Sequence, residues 1–248
     1  MISRTTKELF KKEFVSYFKS PLGYVFLVIY LFGIGYLTFE PGRGSFFVMR
    51  EASLAPFFKY MPWMFLFLIP AVSMRLWADE RKSGTIELLL TMPVTVSQAV
   101  VAKFLASWCF IGVALLGTFP MIFTVSYLGD PDYGVIFLGY LSSFFMAGAL
   151  LAVGGFFSAL TKNQVISFIL TVVVSFMLIM AGSPPILEFL SSLLPRYLVD
   201  LFESLSVLNH FEAIERGVLN LGNIWFFAVT IGCWLYGNII LIKENKAN

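Results

Sequence analysis

Six long apolar runs, separated by short connectors, constrain this chain more than any other feature. They cover approximately Leu22–Phe39, Phe57–Trp77, Ala99–Leu128, Val135–Leu160, Val165–Gly182 and Asn223–Ile242. Each approaches the roughly 20 apolar residues that a hydrocarbon core requires of a spanning helix. Backbone polar groups in such a core must be satisfied within the protein, so the runs are expected as helices. Pro62 and Pro70 in the second run and Pro120 in the third are tolerable there, because neighbouring groups can satisfy the freed carbonyls. The first and fifth runs are short and could stop before the outer surface. With 58% hydrophobic and only 13% charged residues, no segment has the charge density of a soluble domain. The expected fold is all-α and polytopic, with six transmembrane helices in one domain over residues 1–248.

Orientation follows from the basic residues in the connectors. Arg4, Lys7, Lys11, Lys12 and Lys19 precede the first run. Arg75, Arg81, Lys82 and Lys103 surround the second connector, Lys162 follows the fourth run, and Lys243 and Lys246 follow the last. The other side carries Arg43, Arg50, Lys59, Arg196 and Arg216, so the balance is twelve against five. Both termini are therefore expected on the cytoplasmic face. A long charged segment before the first run, with no small-residue cleavage site, argues against a removed signal peptide. A net charge of +2, with bases confined to run ends, gives no patch for nucleic acid.

Residues 1–20 read as an amphipathic helix. Phe10, Phe14 and Tyr17 share one face with Phe18 beside them, while Lys12, Ser16 and Lys19 fall opposite. Lys7 and Lys11 flank the aromatic face and can snorkel toward phosphates. The segment is expected to lie along the inner leaflet and turn at Ser20-Pro21 into the first span; the plainer alternative is a basic flank that only sets topology.

The connector from Ala78 to Pro93 is longer than a tight loop needs, and three consecutive leucines sit in it. Arg75, Asp79, Glu80, Arg81 and Lys82 are expected to end the second span in the headgroup region. Ser83 or Thr85 can cap a following helix, with Glu87 in its first turn and Pro93 stopping it. Thr95 or Ser97 can cap the third span. Leu88, Leu89 and Leu90 must bury against something. From physics alone, docking on a soluble partner and dipping into lipid are evenly matched.

Other chemistry is sparse. His210 is the only histidine, so no histidine metal cluster can form; it is expected satisfied or solvent-facing near Asn209 and Glu212. Cys109 and Cys233 fall inside spans and are expected as buried, inert thiols. Charges are nearly absent from span interiors, which argues against an ion relay. Gly148, Ala152 and Gly155 form a small-residue stripe suited to helix packing. The chain lacks a G-x-x-x-x-G-K-[ST] phosphate loop. It is expected to be no enzyme and to bind no cofactor or metal itself.

The run Glu80-Arg81-Lys82-Ser83-Gly84-Thr85-Ile86-Glu87-Leu88-Leu89-Leu90-Thr91-Met92-Pro93-Val94 resembles the coupling segment of ABC transporter permeases of the type 2 exporter class. The likeness is greatest to gliding-motility-associated ABC permeases. It extends to Ser20-Pro21-Leu22-Gly23-Tyr24, to Pro62 through Ala71 with Met74-Arg75, to Thr161-Lys162-Asn163-Gln164, and to His210-Phe211-Glu212 with Arg216-Gly217-Val218. Permeases serving nitrous-oxide-reductase maturation share these motifs. The resemblance implies a six-span permease in a bacterial inner membrane, pairing with itself or a related chain and seated on two ATP-binding cassette subunits. Those subunits would bind ATP and magnesium. Glu80, Arg81, Gly84, Thr85, Glu87, Leu88, Leu89 and Leu90 would form the docking segment, a cytoplasmic coupling helix. A membrane-anchored periplasmic auxiliary subunit is a further partner of the gliding-type complexes.

Between Ser183 and Gly222 the prolines Pro184 and Pro185 interrupt the fifth run. An apolar face of Ile186, Leu187, Leu190, Leu193 and Leu194 follows, and then a helical pattern from Tyr197 to about Leu221. The resemblance implies short re-entrant or interfacial helices in the outer leaflet, with Pro184, Pro185, Leu190 and Leu194 as gate residues; an external hairpin without a gating role is the alternative. Walls rich in Phe, Leu, Met and Ile suit a hydrophobic or lipid-linked cargo. The permease could instead transmit motion to a periplasmic partner. An ATP-independent channel or secondary carrier is the reading from a different class.

Overall fold

The computed structural model describes residues 4–40, 46, 51–86 and 94–247. Twelve helices and no strand occur among the described residues. The amphipathic helix α1 (Arg4–Lys19) leads into α2 (Pro21–Phe39), and α3 (Ala55–Ser73) is followed by the short α4 (Ala78–Ser83). Next come α5 (Val96–Leu116), α6 (Pro120–Leu128), α7 (Tyr133–Leu160) and α8 (Gln164–Met180). Three short helices, α9 (Pro184–Leu193), α10 (Arg196–Ser204) and α11 (Val207–Glu215), precede the last, α12 (Leu221–Ala247).

Five stretches are long and apolar enough to cross a membrane: Pro21–Phe39, Ala55–Ser83, Val96–Leu128, Tyr133–Leu160 and Leu221–Glu244. The pair α8 and α9 makes a sixth only if counted as one span broken by 81°. The chain is an all-helical, multi-pass membrane protein.

Helix α7 is the hub. It packs against α12, α3, α8, α11, α5 and α4, and its whole stretch Met146–Gly155 is buried. Close approach needs small residues there. A Cβ on Gly154 would lie 2.1 Å from Ser73 Oγ and 2.5 Å from Ser73 Cβ, so α3 can cross α7 at this depth only over a glycine. Gly148, Ala152 and Gly155 are likewise buried, against Trp108 for Gly148 and beside Asn238 for Gly155. By contrast, α2 and α12 show apolar side chains outward, among them Phe32 (75% exposed) and Trp225 (71%). Lipid or another chain must cover these faces.

Several boundaries depart from expectation. The second span begins at Ala55 and its regular helix stops at Ser73; the charged residues after it form a separate short helix, α4. The cause is Ser158 on α7, whose hydroxyl accepts from the backbone N–H of Trp77 (3.0 Å) and Ala78 (3.2 Å) and donates to Met74 O (3.0 Å). The helix that Ser83 or Thr85 was expected to cap lies largely outside the described residues. Ser83 closes α4, donating to Asp79 O at 2.8 Å, before Gly84 turns the chain at φ 73°.

The third run is interrupted at 117–119, where Thr118 Oγ1 bonds Leu115 O and Tyr140 of α7. The expected single pattern from Tyr197 to Leu221 is two helices. Ser206 restarts the chain by capping Asn209 N–H, and Gly217, at φ 90°, ends it. The two cysteines are exposed rather than buried: Cys109 and Cys233 sit on outward faces of α5 and α12, because the apolar character that marked their runs belongs to membrane-facing surface as much as to the core.

Candidate functional site

Helix α1 packs along α5, between Lys103 and Phe110. Its aromatic face does the packing: Tyr17 stacks on Phe110 with centroids 4.7 Å apart, and Phe18 meets the same ring edge-on at 5.6 Å. Phe14 is partly buried on this core, and Phe10 stacks on Phe14 at 5.9 Å. Ser107 donates to Lys103 O (2.8 Å), so Tyr17 donates its hydroxyl to Ser107 Oγ (2.8 Å). Burial raises the Tyr17 hydroxyl above the ordinary phenol range, which keeps it a neutral donor. Lys12 and Lys19 point away and are exposed. The turn from α1 to α2 is tight enough that a Cβ on Gly23 would meet Tyr17 O at 2.1 Å, which accounts for the glycine in Ser20-Pro21-Leu22-Gly23-Tyr24.

The centre of this basic end is Lys103, one and a half to two turns into α5 and only 3% exposed. Its ammonium lies 2.8 Å from Glu80 Oε1 on α4 and 3.1 Å from Glu13 Oε1 on α1, with the Trp77 ring 5.2 Å away. A buried cation of this kind is tolerable only when paired. Here one ammonium joins three helices. In the sequence Lys103 counts as a topology-setting base, yet a lysine inside Val100-Val101-Ala102-Lys103-Phe104-Leu105 already demands a buried partner.

Helix α4 has further anchors. Arg75 Nε bonds Asp79 Oδ2 at 3.2 Å, Gln164 Nε2 donates to Asp79 Oδ1, and Arg81 donates to Ala159 O. Thus the link after α3, α7 and the start of α8 all hold it. Thr85 and Gly84 are exposed beyond it, Thr85 Oγ1 lying 2.9 Å from Ser83 Oγ. Glu87, Leu88, Leu89 and Leu90 lie outside the described residues. Thr95 caps α5 in a reciprocal box with Gln98.

At the opposite end, Pro184 and Pro185 open α9 and are exposed, while Leu190 and Leu194 are half-buried. No residue of α9 is fully buried. His210 bridges the next elements: Nε2 donates to Ser204 O (3.0 Å), Nδ1 lies 2.8 Å from Asn223 Oδ1, and the ring stacks on Phe226 at 4.0 Å. Among the described residues, no group of three or more His, Cys, Asp or Glu could hold a metal.

A hub helix, membrane-length neighbours and a charged connector stitched to them by ion pairs define a polytopic membrane subunit with a constructed, polar end. The sequence profile described as ABC-2 family transporter protein matches residues 8–241, and the chain belongs to that family. It is therefore a membrane-spanning permease subunit of the ABC transporter type. A search among curated proteins returned no match.

Proposed function

We propose that this permease works with a separate pair of ATP-binding cassette subunits, docked at the basic end, which faces the cytoplasm. The single observation that carries this reading is the Lys103 bridge. A push on α4 reaches α1 through Glu13 and α5 through Lys103 itself, and reaches α7 through Ser158 and Arg81. A connector that only joined two spans would need no such anchorage. The ATP and magnesium would belong to the partner, and the segment from Glu80 through Leu90 would supply the docking helix.

The permease would act as a pair, itself or with a related chain, in a bacterial inner membrane. The outward apolar faces of α2 and α12 are consistent with such a partner. A hydrophobic or lipid-linked cargo, or transmission of ATPase motion to a periplasmic partner in a gliding-type complex, fits the apolar span surfaces. The bend between α8 and α9 supports a gating role for Pro184 to Leu194 at the outer face, because α9 finds no full cover within its own chain.

The test is copurification. Leu88→Asp or Leu89→Asp places a charge in the proposed contact. The variant should insert and fold yet lose the ATPase subunit on detergent extraction. Stoichiometric ATPase on the variant would remove the docking assignment. Full activity without any ATPase would favour the ATP-independent carrier instead.

A further inference from the structure

A cleft of about 410 Å³ opens at the end of the bundle opposite Lys103, between the first turns of α3 and the outer face of α11. Lys59 and Trp63 line one wall; Phe211, Glu212, Glu215 and Arg216 line the other. The helical spacing puts each set on one face, so the two helices confront each other across the gap.

The charges in this cleft are unevenly satisfied. Glu212 is paired with Arg216 at 2.7 Å. Lys59 and Glu215 have no hydrogen-bond or ion-pair partner among the described residues, although they carry opposite charges and share the cleft. Burial first, and then the Glu212 carboxylate, push Glu215 up to about 7. The adjacent Arg216 offsets only part of that rise, so the carboxylate is under-compensated. Below Lys59, the exposed apolar side chains Trp63 (40%) and Phe67 (62%) continue down the same face of α3.

We propose that this cleft binds a zwitterionic ammonium–phosphate headgroup, the phosphate on Lys59 and the primary ammonium on Glu215. An anion alone would meet two carboxylates, and a cation alone would meet two bases. A molecule with both charges a few bonds apart bridges the gap, bringing a cation to the under-compensated Glu215 and an anion to the exposed Lys59. The source is an aminophospholipid, because Trp63 and Phe67 offer its acyl chain an apolar track leading away from the polar site. The inference requires only that the chain spans a membrane and is independent of the ATPase.

The test uses the full-length protein purified in mild detergent at pH 8, with or without its native partners. Native mass spectrometry would count bound lipid from an equimolar mixture of phosphatidylethanolamine, phosphatidylcholine and phosphatidylglycerol with identical acyl chains. Phosphatidylethanolamine should be retained several-fold over the other two. Phosphatidylcholine cannot donate a hydrogen bond from its quaternary nitrogen, and phosphatidylglycerol has no cation. Lys59→Gln and Glu215→Gln should each abolish the preference, and Lys59→Arg should keep it. Glycerophosphoethanolamine, the headgroup without tails, should compete only at far higher concentration. Competition at equal concentration would overturn the lipid assignment in favour of a soluble zwitterion. Equal retention of the three lipids by the native protein, or an unchanged preference in both Lys59→Gln and Glu215→Gln, would overturn the site.

Discussion

Lys103 on α5 and Glu80 on α4 meet at 2.8 Å, with 4% of the lysine side chain exposed. The second oxygen of Glu80 is buried and has no hydrogen-bond partner among the described residues, so the carboxylate depends on the ammonium for most of its compensation.

Replacing Lys103 by Met keeps the stem and deletes the charge. Glu13 and Glu80 would then face each other uncompensated, and the loss should be about 3 kcal/mol, the low end for a broken buried ion pair because both carboxylates are partly exposed. Thermal unfolding of the detergent-solubilised chain would measure it. The triple variant Glu13→Gln, Glu80→Gln, Lys103→Met should recover most of the loss. A Lys103→Met protein as stable as the native one would show that the ion cluster does not hold α1 and α4 in place.

Gly154→Ala tests the crossing of α3 over α7. The added Cβ has no room beside Ser73, and overpacking of this kind costs about 1–3 kcal/mol. Pairing it with Ser73→Gly removes the atoms it strikes and should return part of that loss. If Gly154→Ala melts with the native protein, the two helices sit further apart than described.

Glu215 sets a pH dependence with a definite sign. Its folded value, about 7, is raised above the ordinary 4.5. Below pH 4.5 the group is protonated in both states and costs nothing. As pH rises from 4.5 to 7 the unfolded chain ionises first, so stability falls through that window and levels off above it. The groups around it are Glu212 and Arg216 on its own helix and Lys59 on α3; α8 has no ionisable side chain. Asp132 on α7 is engaged in capping Gly134 and Val135, and His210 faces Ser204 and Asn223. Melting curves of native and Glu215→Gln protein should converge at pH 4.5 and separate by pH 7, the variant being the more stable. A difference of the opposite sign would refute the buried, under-compensated carboxylate.

Topology has a direct assay. Single cysteines at Ser83 and Asn245, in a background with Cys109 and Cys233 replaced, should react with an impermeant maleimide only after the cytoplasmic face is opened. Cysteines at Asp132 and Ser204 should react from outside. Labelling of Asn245 from outside would mean an odd number of crossings.

Much of the architecture was legible in the chain, because membrane spans announce themselves through length and apolarity alone. The five long helices lie close to their apolar runs, and the amphipathic period of residues 10–18 marked α1 as a helix, although the face expected along the leaflet carries Tyr17 and Phe18 onto Phe110 of α5. Ser20-Pro21 located the turn into α2, and Pro184-Pro185 the start of α9. These features are local: a proline's missing N–H or a period of 3.6 acts within a few residues.

Contacts between distant segments were not legible. Nothing near Ser158 says that its hydroxyl will terminate a helix eighty residues earlier, and Lys103 looked like an ordinary flanking base until α1 and α4 closed over it. Glu215 and Lys59 came to share one cleft only when α11 faced α3 across a gap. The apolar runs could specify that helices exist, since solvation in lipid depends on composition. Which polar groups share a buried site depends on how those helices cross, and that was decided by tertiary packing around α7.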